Sequence, residues 1–90
     1  MKTFLIGYDL NAPEQKYSGL HRKIRSLGSY WHHLGSTWLV TSELTAAKIR
    51  DALKPFLDSD DELLVVRVTK RGAWFGFDRN RKWLSAHIGR

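Results

Sequence analysis

"SYWHHLGSTWLVTS", residues 29–42, sets two short runs rich in aromatic and β-branched residues on either side of Leu34-Gly35-Ser36. Residues of this kind favour extended backbone, and a short glycine-containing link between two such runs predicts a tight antiparallel hairpin. What flanks the hairpin decides the fold. Upstream, "YSGLHRKIRSLG" repeats Tyr17, Leu20, Ile24 and Leu27 at helical spacing and puts Arg22, Lys23 and Arg25 on other faces. Ser18 is placed to cap that helix and Gly28 to end it. Downstream, "LTAAKIRDALKPFL" lines one helical face with Ala46, Ile49, Leu53 and Phe56; Thr41 or Ser42 is the expected cap, and Pro55 weakens the last turn.

Outside the two helices lie two more strand-like runs. Residues 4–9 alternate Phe4, Ile6 and Tyr8 on one face with Leu5, Gly7 and Asp9 on the other, and Asn11-Ala12-Pro13 breaks the run. After the polar turn "DSDD" (58–61), "ELLVVRVTK" points Leu64, Val66 and Val68 one way and Leu63, Val65 and Arg67 the other. The order β-α-β-β-α-β with right-handed crossovers predicts an α+β, ferredoxin-like sandwich: an antiparallel sheet with both helices on one face. Residues 1–70 form this domain, and residues 71–90 are a basic, aromatic C-terminal extension. Both faces of the first and last strands are apolar, yet the helices cover only one. The open face therefore predicts a second copy of the chain as its cover, with Leu5, Gly7, Trp74, Phe75 and Phe77 at the interface. "GAWFGF" (72–77) is expected to add an edge strand, on the partner protomer in such a dimer, and "RNRKWLSAHI" (79–88) to form a short basic helix.

Ninety residues with 42% hydrophobic and 27% charged side chains fit one globular domain. The absence of cysteine excludes disulfides, thiolate metal sites and cysteine nucleophiles, and fits a reducing cytoplasm. No apolar run has the length of a membrane span or the pattern of a signal peptide, so a cytoplasmic protein without membrane partners is expected. The formal charge of +6 favours polyanions such as RNA or DNA. That charge is uneven: residues 1–70 carry ten basic and eight acidic side chains, a net +2, whereas residues 71–90 carry five basic and one acidic, a net +4.

Taken together, "LIGYDLN" at the amino end, a helix, "GSYWHHLGSTWLV", a second helix and "DELLVVRVTK" resemble the small dimeric CRISPR-associated protein two family and its virulence-associated protein D relatives. The likeness is nearest to the short relatives labelled "SinR family", and it covers residues 3–70. The resemblance implies a homodimer formed by stacked sheets. It also implies that the Tyr-Asp pair ending strand one, Tyr8-Asp9 here, supplies a metal-binding carboxylate from each protomer near the dimer axis. Ser36, before Thr37-Trp38, resembles the serine that opens the family's third strand. The arginine and glutamine of the family's second strand are absent from Trp31-His32-His33-Leu34, a departure that bears on nuclease activity more than on fold. Members of the family either cleave RNA or DNA with a metal or hold DNA as noncatalytic scaffolds for a larger protein.

On this basis Asp9, Tyr8 and Ser36 are the candidate catalytic residues, and Asp9 the candidate ligand of a divalent cation, magnesium or manganese. Two readings of Asp9 stand side by side. Its carboxylate accepts backbone N–H groups near Asn11 and simply ends the strand, or it meets its twin across a two-fold axis and recruits a cation that polarises a phosphodiester. One aspartate per chain is a thin set, because hard cations take about six oxygens. Asp58, Asp60 and Asp61 read as a solvated turn. His32 and His33 point to opposite faces of a strand and cannot share an ion within one chain. Arg22, Lys23, Arg25, Arg71, Arg79, Arg81 and Lys82 are the candidate phosphate contacts, with the interleaved aromatic rings available for base stacking or for packing against a partner. The functional expectation is a homodimer that engages nucleic acid and cleaves it at paired Asp9 residues. The alternatives are a noncatalytic scaffold for a protein encoded nearby and a toxin-like ribonuclease.

Overall fold

The computed structural model describes residues 1–11, 17–69, 71–77 and 80–89. Arg79, Arg90 and the Ala12-Pro13 part of the predicted breaker lie outside them. Four strands, β1 (Lys2–Asp9), β2 (Tyr30–Leu34), β3 (Thr37–Ser42) and β4 (Glu62–Val68), form one antiparallel sheet in the order β2-β3-β1-β4. Helices α1 (Ser18–Arg25) and α2 (Ala46–Leu53) make the two crossovers. This is the ferredoxin-like α+β arrangement expected from the order of elements.

Alternation along the central strand creates two cores. Phe4 and Ile6 of β1, with Trp38 and Val40 of β3, pack under Leu20 and Ile24 of α1 and Ile49 and Leu53 of α2. Leu5, on the opposite face of β1, joins Leu39 and Trp31 in a second cluster. Side chains of this size each contribute about 1.5–3 kcal/mol when fully buried, so neither face can be left to water cheaply.

The C-terminal extension covers part of that second face within the chain. A third helix, α3 (Arg81–Ile88), inserts Leu84, only 2% exposed, among Trp31 and Leu39, and Trp74, Phe77, Trp83 and Ile88 pack around it. The Trp31 indole N–H donates to the Asn80 carbonyl at 3.2 Å, and the Gly72 N–H donates to the Ile88 carbonyl at 2.7 Å, closing the extension onto itself and onto β2. Residues 71–77 form no strand in this chain. Arg71 and Phe77 have positive φ (99° and 60°), as does Gly76 (86°), and such backbone turns away from the extended conformation a ladder needs. Within this chain the segment is thus irregular, and the expected helix follows it.

Several local signals act elsewhere than the sequence alone indicated. Tyr17, not Ser18, is the N-cap residue of α1, which ends at Arg25, ahead of Gly28. Thr45, rather than Thr41 or Ser42, caps α2 by accepting the Lys48 N–H at 3.1 Å. Proline lacks an N–H and crowds the preceding turn, so α2 stops at Leu53 and Lys54–Phe56 tightens into a 3-10 turn. Phe56 consequently leaves the apolar face and is 40% exposed. Gly28 serves the sheet instead: a Cβ there would run into the Thr41 carbonyl, beside the Ser29 N–H bond to Thr41 Oγ1 (3.1 Å).

Two substitutions test this packing. Leu84→Ala should cost about 2–5 kcal/mol, because it opens a cavity under the extension. Gly28→Ala should cost roughly 1–3 kcal/mol by forcing β3 away. Urea titration of the two variants checks both, and a neutral Leu84→Ala would mean that the extension does not rest on its own sheet.

Candidate functional site

The end of β1 divides its two candidate residues between the faces of the sheet. Tyr8 points to the helix side. Its hydroxyl oxygen accepts the Trp38 indole N–H at 2.9 Å and lies 3.2 Å from His21 Nε2. Trp38 is fully buried, and its N–H can only donate, so Tyr8 gives it the acceptor it needs. His32 lies flat on Trp38, with ring centroids 3.7 Å apart and planes at 9°, and its Nε2–H donates to the Gly35 carbonyl at 2.6 Å. The His21 and His32 rings are 6.2 Å apart. Burial holds the His21 imidazole below its usual pKa, and the neighbouring His32 and Arg25 push it the same way.

Asp9 points to the opposite face and is exposed. Among the described residues its carboxylate has no hydrogen bond or ion pair, so the turn-capping reading fails: the Asn11 N–H donates instead to Asp61 Oδ1 at 2.8 Å. Asp61 also accepts the Asp58 N–H at 2.8 Å and the Tyr17 hydroxyl at 3.1 Å. The backbone amides of Asn11 and then Asp58 hold the Asp61 carboxyl below its ordinary range; burial opposes them, and Tyr17 adds to them. The "DSDD" stretch is therefore a tied turn that closes the β1 end against the start of β4.

Opposite Asp9 in the ladder stands Glu62, and strand alternation puts both carboxylates on the helix-free face. Among the described residues no group of three or more histidine, aspartate and glutamate side chains is arranged to hold a metal. Asp9 and Glu62 are hard oxygen donors suited to magnesium or manganese, but a full shell of about six oxygens there requires water, phosphate or a second chain. Ser36 sits in the exposed hairpin turn, and its carbonyl accepts the Tyr8 N–H at 3.2 Å. It abuts Tyr8 through backbone, whereas Tyr8 and Asp9 face apart. His33 shares the Asp9 face, next to Trp31 and Asn80; His32 does not.

The cations divide in the same way. Arg22, Lys23 and Arg25 occupy the last turn of α1, and none has an ion pair among the described residues. Arg22 and Lys23 border a shallow groove of about 240 Å³ whose other wall is the Phe56 ring, seated against Gly19. Arg71, Arg81 and Lys82 lie across the sheet, on the side of the extension, and are exposed. Of the expected interface residues, Leu5, Trp74 and Phe77 are used in the chain's own second cluster, while Gly7 is half-buried and Phe75 is 97% exposed. An apolar hollow of about 410 Å³ remains there, with Leu5, Leu39, Trp74 and Phe77 among its walls and Arg71 at its edge.

Sequence reasoning missed His21, Glu62 and the exposed Phe56. His21 had one available signal: it lies four residues before Arg25 and one after Leu20, at the edge of the apolar helical stripe.

The depressed His21 pKa sets a pH dependence. The unfolded chain takes the proton near 6.5, the folded chain at lower pH, so this contribution to stability is complete above 6.5 and is lost as the pH falls through the folded value. Thermal melts from pH 8 to pH 5 should show a falling midpoint, with a shallower fall in His21→Gln; parallel curves would contradict it. No family model matches the chain, and no solved structure matches it at a significant level, which leaves its function to be argued from its own residues.

Proposed function

We propose that the chain is a nucleic-acid-interacting domain that works as a homodimer. The observation that carries this reading is the pair of cations Arg22 and Lys23 beside the exposed Phe56 ring, with Arg25 in the same turn of α1 and none of the three ion-paired among the described residues. Guanidinium and ammonium groups neutralise phosphates, and a free aromatic face stacks on a base whatever its sequence. Arg81 and Lys82 supply a second basic patch on the far side of the sheet. For the dimer, support comes from the apolar side chains left open, Leu64 (60% exposed) and Val66 (43%) on the helix-free face of β4 and Phe75 in the extension, together with the apolar hollow. Stacking two such faces would bring two Asp9 and two Glu62 carboxylates towards one seam.

A divalent cation held at that seam would supply Lewis-acid polarisation of a phosphodiester. Asp9 would be its ligand, with Glu62 beside it, and the basic side chains would hold the strand. The scaffold reading keeps the dimer and the phosphate contacts and needs no cation; the two carboxylates per chain, which fall short of a full ligand set, favour it.

Fluorescence anisotropy with labelled RNA and DNA tests binding. Affinity should fall steeply between about 50 and 200 mM salt, and Arg22→Ala with Arg25→Ala should weaken it and flatten the salt slope by roughly 0.7–0.9 per lost phosphate contact. Salt-independent affinity, or none, would remove the reading. Sedimentation should give the mass of two chains. Cleavage with magnesium or manganese that stops in EDTA and in Asp9→Ala selects the metal-dependent form; binding without any product selects the scaffold.

A further inference from the structure

The histidine cluster on the helix side of the sheet has the parts of an acid-base machine that needs no metal. Two imidazoles stand 6.2 Å apart, each oriented by a fixed partner: Tyr8 for His21, the Gly35 carbonyl for His32. A carbonyl can only accept, so Nε2 of His32 carries hydrogen, and its Nδ1 has no hydrogen-bond partner among the described residues. Tyr8 already accepts the Trp38 N–H, and its oxygen has a second lone pair for His21 Nε2–H, a tautomer that leaves the His21 Nδ1 lone pair free. Both rings are partly exposed, and Arg25 stands one helical turn from His21, on the same side of α1. We propose that His21 and His32 are a general base and general acid that cleave RNA, with Arg25 holding the phosphate and Tyr8 positioning His21. This rests on the nucleic-acid reading and adds to it the substrate class, RNA, and a second face of the molecule.

The chemistry balances without a co-reactant. Neutral His21 takes the proton of the ribose 2′-hydroxyl, the 2′-oxygen bonds to phosphorus, and the bond from phosphorus to the 5′-oxygen breaks. The departing 5′-oxygen takes the proton of the His32 imidazolium. The products are a 2′,3′-cyclic phosphate and a 5′-hydroxyl, and proton exchange with water resets the pair. The groups facing His21 are Tyr8 from β1, His32 from β2, Trp38 from β3 and Arg25 on its own helix; those facing His32 are His21, Trp38 and the Gly35 carbonyl. DNA lacks the nucleophile and cannot follow this route.

The test uses the purified full chain with end-labelled RNA and the DNA of the same sequence, both in EDTA. The expected result is cleavage of RNA alone, with cyclic phosphate ends, a bell-shaped pH profile, and a loss of about 100-fold or more in His21→Gln and in His32→Gln. Melting curves establish that both variants fold. Tyr8→Phe should move the acid limb of the profile, which a merely structural tyrosine would leave in place. RNA bound but uncut in EDTA overturns the acid-base pair and leaves the binding reading standing; so does cleavage that survives His32→Gln. RNA that does not bind overturns both.

Discussion

β1 lies between β3 and β4, so each of its side chains must be covered on one face or the other, and a two-helix layer reaches only one of them. Every larger feature of the molecule answers to that constraint. Phe4 and Ile6 go under α1 and α2; Leu5 goes under the extension with Leu39 and Trp31. The same alternation divides Tyr8 from Asp9 and so gives the protein two chemically different surfaces at one strand end. The helix side carries part-exposed imidazoles over a buried indole, and the other side carries carboxylates.

The second face is closed only in part. Leu84 and Trp31 are as buried as core residues of the first cluster, and the extension adds main-chain bonds to its own helix, but Leu64, Val66 and Phe75 stay open. A small domain has little apolar surface to spare for its interior, and an open apolar stretch beside a hollow of about 410 Å³ is the kind of surface that association hides. The extension therefore covers one part of the sheet and leaves a neighbouring part open.

Electrostatics at the two strand ends follow from who holds the hydrogen bonds. Asp61 takes the amides of Asn11 and Asp58 and the Tyr17 hydroxyl and becomes a structural carboxylate, while Asp9 has no such partner among the described residues. Across the sheet, Tyr8 is committed to Trp38, and this in turn fixes the surroundings of His21. Burial and two neighbouring basic groups keep that histidine neutral at a pH where a free imidazole would begin to charge. The ion pairs between Met1 and Glu43 and between Arg50 and Asp51 are exposed and add little, and the α1 cations have no ion pair among the described residues.

The sequence alone determined the order of elements, the two faces of each strand, the helical stripes and the helix in the extension, because periods of two and of about three and a half residues are written locally. It also determined that His32 and His33 face apart. Which residue caps a helix, which aspartate ties the turn and where Phe56 points were settled by competition among neighbours, such as Thr45 against Ser42, Asp61 against Asp9, and Pro55 against the last turn of α2. The meeting of Tyr8, His21, His32 and Trp38 joins residues up to thirty positions apart, and Glu62 reaches Asp9 only through the β1–β4 register. Such encounters depend on crossover geometry and strand register, which no local period encodes, so only the tertiary structure decided them.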